Sequence, residues 1–351
     1  MSNNSKDSLV PFAFSGKGNL TGQEKIILAG DVGGTKTNLA FYRTNAGELI
    51  KLSTATYASG DYNSVTEMLQ KFMDETNESP QTICLGVAGP VINGKVELTN
   101  LDWDLNINDI RKQTGIQKVS LLNDLESTAY GLAGMKENDF ITIHEGKHRA
   151  GNMAIIAPGT GLGEAGLYWD GAAYHPFPTE GGHCDFSPRT EFDIELYWYL
   201  QEKYGIVSWE KLISGPAIYD IYQFLRDRKN MEEPSWLREA FSEDDPSAQI
   251  SEAAIDEKAS ICIETMSHFV RYLARESSNL VLKMKAIGGL FLSGGIPPKI
   301  AALLNKESFF DDYMDCDRMQ HLLKDVPIKI ITNERAPMMG AAYYGAFGNE
   351  L

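Results

Sequence analysis

The apolar run Ile26 to Asp31 gives way to glycines, so that Gly30, Asp31, Val32, Gly33, Gly34 and Thr35 stand at a strand end, followed by Lys36. Adjacent glycines remove Cβ interference, and backbone N–H groups can then turn inward to form an anion-binding nest for phosphate. The Thr35 hydroxyl can add a donor, and the Asp31 carboxylate can face a hydrated Mg2+. A tight β-hairpin turn explains the same glycines equally well. A second such loop, Pro158-Gly159-Thr160-Gly161-Leu162-Gly163, follows another apolar run. Gly161, Gly163 and Gly166 have the spacing of a dinucleotide fingerprint, but that fingerprint needs a following helix and EAGLYWD alternates like a strand. A paired phosphate clamp, one loop from each half, fits better. Gly89 to Val96 imitates a Walker A loop, yet Val96 occupies the place of the magnesium-binding hydroxyl, and a hairpin is the better reading.

Carboxylates and an imidazole supply the other chemistry. Asn123 and Asp124 end the strand VSLL and open a helix, where α/β sheets place ligands. They also suit an ordinary N-cap. Glu180 and His183 flank the glycine pair 181–182 and could together hydrogen-bond vicinal sugar hydroxyls. Read structurally, they are a turn residue and a buried histidine. Ser214-Gly215-Pro216, after Trp209 and Glu210, reads as a turn with proline at the first helical position. Gly294 and Gly295 end a further strand, where a flat ligand could approach closely.

The elements that must position these residues follow from periodicity. Three strands, IILAGD, TNLAFYR and ELIKLSTATY, are predicted first, the last two joined by Asn45, Ala46 and Gly47. Val65, Met68, Leu69, Phe72 and Met73 share one helical face, with Ser64 and Glu67 as a capping box. TICLGVAG and VSLLND are predicted as buried strands, and LESTAYGLAG as a helix, which makes one α/β lobe. Near Gly134 the pattern restarts: NMAIIAP, then two strands around Asp170-Gly171, a helix from Glu191 capped by Thr190 and Asp193, and a long helical stretch over 247–282. The charged segment RDRKNMEEPSWLREAFSEDDPSAQ before that stretch reads as a surface excursion. GGLFLSGGI and VPIKIIT are predicted strands, and a helix from Ala336 closes the chain. GDVGGTKT against APGTGLGE marks a weak internal duplication.

At 351 residues the chain exceeds one comfortable core, and 43% hydrophobic with 23% charged residues is ordinary for a globular protein. A net charge of -16 argues against a nucleic-acid partner, which demands a basic face. It leaves room for a nucleotide held by backbone amides. Cys84, Cys184, Cys262 and Cys316 form no paired spacing, which suits a reducing cytosol. No apolar run reaches the ~18 residues of a membrane span. The polar first 24 residues lack a signal-peptide core and read as a flexible arm.

Taken in order, these motifs resemble the bacterial glucokinase family of the hexokinase/actin/Hsp70 ATPase superfamily, from about Lys25 to the C-terminal helix. GDVGGTKTNLA resembles its first phosphate motif, LLNDLESTAYG the catalytic-base segment and APGTGLG the second phosphate motif. FPTEGGHCDFSP resembles the sugar-binding loop, EKLISGPAIYDIY the segment that follows it, and LSGGI the adenosine motif. The resemblance implies an α/β fold of two ribonuclease-H-like lobes with a central cleft. Residues 25–134 with 335–351 would form the small lobe and 135–334 the large one. It implies transfer of the ATP γ-phosphoryl to the 6-hydroxyl of glucose, giving glucose 6-phosphate and ADP and feeding glycolysis. Asp124 would be the general base, and Asn100, Asn123, Glu180, His183 and Glu210 the other sugar ligands. Gly30 to Thr35, Gly159, Thr160 and Gly161 would hold phosphates, with Gly294 and Gly295 beside the nucleotide and Mg2+ near Asp31 through water. A cytoplasmic homodimer is implied in the same way. Lys36 replaces the family's usual Asn, and no cysteine-rich zinc motif follows EGGH. Kinases for fructose, mannose or an N-acetylhexosamine would use the same groups. A non-catalytic sugar sensor or actin-like assembly ATPase is the rival of another class.

Overall fold

The computed structural model describes residue 12 and residues 24–45, 48–98, 103–242 and 244–348. Except for Phe12, the expected N-terminal arm up to residue 23 lies outside them, as does Asn100. The chain divides into two compact units: Met1–Glu137, Leu167–Pro178 and Asn333–Leu351 form the first, and Asn138–Gly166 with Thr179–Thr332 the second.

In the first unit β1 (Ile26–Val32), β2 (Lys36–Asn45) and β3 (Glu48–Ala58) form an antiparallel meander. Helix α1 (Val65–Thr76) follows, and then β4 (Thr82–Val87), all six residues of which are buried. A continuous apolar run of that kind is what a central parallel strand requires. The short hairpin β5 (Lys95–Leu98) and β6 (Trp103–Asn106) leads to α2 (Ile107–Thr114), β7 (Lys118–Asn123) and α3 (Asp124–Gly131). The sheet order is β3-β2-β1-β4-β7, with β1, β4 and β7 parallel. The Walker-like segment is a two-residue turn: Asn93 and Gly94 have φ of 51° and 71°, and Ile92 and Lys95 exchange backbone hydrogen bonds of 3.0 Å. Ser64 caps α1 as expected by accepting from the Glu67 N–H. Glu67 does not reciprocate to Ser64 but accepts from the Asn63 N–H at 3.0 Å, one residue earlier.

Next along the chain come β8 (Phe140–His144), β9 (Met153–Pro158) and β10 (Leu162–Trp169) of the second unit and β11 (Tyr174–Thr179), the end of β10 from Leu167 and all of β11 but Thr179 grouping with the first unit. Then come α4 (Glu191–Tyr204), α5 (Gly215–Asp227), α6 (Ser235–Ala240), α7 (Pro246–Ile255) and α8 (Ser260–Met284). After them lie β12 (Gly289–Leu292), the short helices α9 (Ala301–Leu304), α10 (Glu307–Met314) and α11 (Gln320–Leu323), and β13 (Ile328–Ile331). The sheet order is β11-β10-β9-β12-β13-β8. Its first five strands repeat the third-second-first-fourth-fifth order of the other sheet, so the duplication seen faintly in the glycine loops is a duplication of topology. Thr190 and Asp193 form the full reciprocal capping box on α4.

Two expectations change. The helical stretch over 247–282 is two helices, because Glu257 takes a left-handed φ of 55° and Ala259 is the N-cap of α8. The charged excursion is partly core: Leu237 of α6 is fully buried, and Glu233 is held by Arg226 and Arg238. The three short helices between β12 and β13 have too little length for periodicity to reveal them.

The last helix, α12 (Ala336–Phe347), belongs to the first unit and packs along α3. Contact is made through residues without side-chain bulk. A Cβ on Gly131 would collide with the Ala336 carbonyl, and one on Gly340 with the Ser127 carbonyl. The Ser127 hydroxyl donates to the Pro337 carbonyl at 2.7 Å. This crossing fixes the helix that carries Asp124 at its first turn.

Candidate functional site

In the first unit the ends of three parallel strands lie level. Val32 is in register with Val87, and Val87 with Asn123. The turn Gly33–Thr35 and the residue Asp124 therefore leave the same end of the sheet, two strand spacings or about 10 Å apart. The turn is tied down by Ser59, whose hydroxyl donates to the Gly33 carbonyl at 2.7 Å and whose N–H donates to the Thr35 carbonyl at 2.9 Å. Thr35 is exposed, and the Val32 side chain is in the core, which leaves only its backbone for a ligand. Gly30 is a packing glycine: a Cβ there would stand 2.6 Å from Leu85 Cδ2 and 2.9 Å from Leu39 Cδ2. Asp31 is half-buried and accepts from Asn38 Nδ2 at 3.3 Å. Burial raises its carboxyl above the usual range, against the opposing pull of Asn38 and Lys36. A cation nearby would offset that cost, so the residue fits a water-mediated Mg2+.

Asn123 caps α3, its Oδ1 accepting from the Leu125 and Glu126 N–H groups at 2.9 and 3.3 Å, while Nδ2 donates to the Gly89 carbonyl at 3.2 Å. The capping role of Asn123 is therefore real, and the half-buried Asp124 stands next to it in the first turn, at the positive end of the helix.

In the second unit, glycine loops meet at the carboxyl ends of the parallel strands β9 and β12. The Gly159 N–H donates to the Gly161 carbonyl, and the Gly215 N–H, at the start of α5, donates to the Gly159 carbonyl, both at 2.8 Å. Gly294 has φ of 82° and presses on the Pro158 carbonyl, where a Cβ would stand at 2.5 Å. Open space lies where a Cβ on Gly295 would be. Thr160, Gly294 and Gly295 are exposed. The exposed glycine backbone at residues 294 and 295, the exposed Thr160 and the room for a flat group suit a nucleotide, whereas the first turn of α5 is already engaged, the Gly215 and Ala217 N–H groups donating within the protein and Pro216 having none.

Glu180, His183 and Glu210 join this cluster. Glu180 and His183 are exposed on one tight turn, the His183 N–H donating to the Glu180 carbonyl at 3.1 Å. That turn is bound to the Trp209–Lys211 turn by the Trp209 N–H donating to the Cys184 carbonyl at 3.0 Å. Glu210 Oε2 accepts from the Leu162 N–H at 3.2 Å and would stand 2.6 Å from a Cβ on Gly161. His183 is therefore a surface group and not a core histidine. Two features escaped sequence reasoning. The turn reading of Gly215 does not give its contact with Gly159, and the only signal for Glu164 is an acid on the buried side of a strand pattern.

Residues 28–346 match the family model described as Glucokinase. A glucokinase of Trichormus variabilis is 38% identical over 338 residues, covering 92% of this chain and 99% of that one. Among solved structures, a glucokinase from an Antarctic psychrotroph superposes with a TM-score of 0.80 at 28% identity, covering 92% and 99%. A ROK-family glucokinase from Streptomyces griseus, solved with glucose and AMPPNP, shares the fold at a TM-score of 0.60 and 17% identity, covering 92% and 99%. The actin-like α/β fold agrees with these matches, and the chain belongs to the glucokinase family.

Proposed function

We propose that this chain transfers the γ-phosphoryl of ATP to the 6-hydroxyl of glucose, with Asp124 taking the hydroxyl proton as the new oxygen–phosphorus bond forms. The relatives' name and the solved complex with glucose and AMPPNP support the substrates. The observation that carries the reading is the contact of Glu210 with Gly161 and Leu162, because it joins a sugar-reading carboxylate to a phosphate-reading loop. Phosphoryl transfer needs positioning and charge neutralisation more than covalent chemistry. Glu180, His183, Glu210 and Asn123 orient the sugar, and Asn100 is assigned beside them by resemblance. Gly33, Gly34 and Thr35 with Gly159, Thr160 and Gly161 hold phosphates through backbone and hydroxyl donors. Gly30 supports the first turn by packing, and Gly294 and Gly295 lie against the nucleotide base or ribose. Mg2+ bound with the nucleotide supplies charge neutralisation, and Asp31 would hold its water. The reading extends to a cytoplasmic homodimer, which light scattering on the purified chain tests.

The experiment is ATP turnover across a panel of glucose, fructose, mannose and N-acetylhexosamines, with Asp124→Ala as control. General-base help is typically worth ~10²–10⁴-fold, so the variant should lose that much kcat while retaining nucleotide binding. Preference for a sugar other than glucose would reassign the substrate. Near-wild-type turnover of Asp124→Ala would remove it from the chemistry.

A further inference from the structure

We propose that Glu164, outside every sugar and nucleotide contact assigned above, is a positioning residue that braces the Glu180–His183 turn from beneath. Glu164 lies on β10 and is 2% exposed. Its carbonyl accepts from the Thr179 hydroxyl at 3.0 Å, and that hydroxyl in turn accepts from the Gly181 N–H at 3.3 Å. Its carboxyl rests directly on Gly181, where any Cβ would collide with it. The glycine pair between Glu180 and His183 thus exists so that the turn can lie flat on β10 and on this acid.

Behind Glu164 stands a second buried acid. Glu276 of α8 is fully buried and hydrogen-bonds with Glu164, while also accepting from Asn279 Nδ2 at 2.8 Å and Lys283 Nζ at 2.6 Å. The charged or titratable groups facing Glu164 are Glu276 and Lys283 from α8, with Cys184 of the turn near Lys283. One lysine cannot compensate two carboxylates in a site of low dielectric, so one acid keeps its proton. Glu164 keeps it. Burial, then the charge of Glu276, pushes its carboxyl up, and Glu164 Oε1 has no hydrogen-bond partner, which a neutral acid tolerates better than a carboxylate. The protonated oxygen donates to Glu276. Loss of that proton places a second negative charge under the turn and repels Glu276. Hydrogen bonds from Glu180 and His183 to the sugar then weaken, while the nucleotide loops are unaffected.

This inference rests on the glucokinase reading for its kinetic readout. The test is glucose and ATP KM measured from pH 6.5 to 9.5 for wild type, Glu164→Gln and Glu164→Ala, with hydrogen exchange of the 179–185 segment followed by mass spectrometry at matched intrinsic rate. Gln keeps the shape and the N–H donor to Glu276 but cannot ionise. The expected result is a rise of glucose KM of about tenfold in wild type above pH 8, a flat profile in Glu164→Gln, and a raised glucose KM at every pH in Glu164→Ala, with ATP KM unchanged throughout. The segment should exchange faster at pH 9 in wild type than in Glu164→Gln. Superimposable wild-type and Glu164→Gln profiles, in kinetics or in exchange, would overturn the role of Glu164. Absence of sugar turnover by wild type at any pH would instead overturn the functional reading, leaving exchange to decide the brace.

Discussion

The Glu210 carboxylate accepts the backbone N–H of Leu162 at 3.2 Å, so that in the proposed reaction one side chain would serve both the sugar and the phosphate loop. Its other oxygen lies 3.2 Å from Lys211 Nζ. A charged hydrogen bond of this kind is worth about 1.5–3 kcal/mol, or roughly 10–100-fold. Glu210→Ala should raise KM for glucose and also for ATP, since the 159–161 loop loses its tie. Glu210→Gln, which keeps an acceptor for Leu162, should raise mainly the glucose KM. Steady-state kinetics with each substrate varied in turn separates the two. Equal effects of Ala and Gln on the ATP KM would show that the loop does not depend on this bond.

Gly340 gives a second prediction, because the helix carrying Asp124 is set by how closely α12 can approach it. The Ser127 carbonyl occupies the space a methyl group would take at residue 340. Backbone cannot yield as a flexible side chain does, and overpacking of this sort costs about 1–3 kcal/mol or more. Gly340→Ala should lower the thermal midpoint by several degrees and also reduce kcat, with KM for ATP less affected than kcat. Unchanged melting and turnover would mean that the helices separate without cost to Asp124.

Much of this arrangement was legible in the sequence, for identifiable reasons. The strand ends carrying Gly33, Asp124, Gly159 and Gly294 were readable because apolar runs stopped at glycine or at a capping residue, and those stops are where ligands meet α/β sheets. The Thr190–Asp193 capping box was readable at its true position. Other features depend on atoms distant in sequence. Glycines at 30, 131 and 340 look alike in sequence to those at 33 and 159, and only the packing partners Leu85, Ala336 and Ser127 separate core spacing from ligand access. The Glu164–Glu276 pair joins residues more than a hundred positions apart, and nothing in either local pattern announces the other. The break between α7 and α8 was hidden because apolar spacing continues across it while Glu257 turns left-handed.

Glu126, two residues after Asp124, yields a prediction about pH. Burial pushes its carboxyl up to about 7, only partly opposed by the Asn123 backbone N–H, and it faces Cys84, Tyr130 and Tyr344. The folded state therefore holds this proton more tightly than the unfolded chain. Stability contributed by the neutral acid is complete below about pH 4.5 and is lost as pH rises through 7. Glu126→Gln should leave the thermal midpoint unchanged near pH 4.5 and raise it at pH 8, by roughly 1–3 kcal/mol of stability. Melting curves at the two values decide it; a variant less stable at pH 8 would mean that the charged form is favoured where it sits.

His268 should limit stability on the acid side. Its ring stacks on Phe192 with centroids 3.7 Å apart and planes 4° from parallel, and the residue is 4% exposed. Burial, then the neighbouring Arg271, lowers its pKa to about 4, against a weaker opposite influence from Asp193. Here the unfolded chain binds the proton more readily, so the stability of the neutral ring is present above pH 6.5 and lost as pH falls toward 4. Between pH 7.5 and 5 the loss amounts to about 2 kcal/mol. His268→Gln gives up the ring stack and should be less stable than wild type at pH 7.5, but its midpoint should fall less between the two values. The measured quantity is the difference of differences, which removes the common effect of every other titrating group. If both proteins lose the same stability over that interval, protonation of His268 is not what unsettles the packing of α4 on α8.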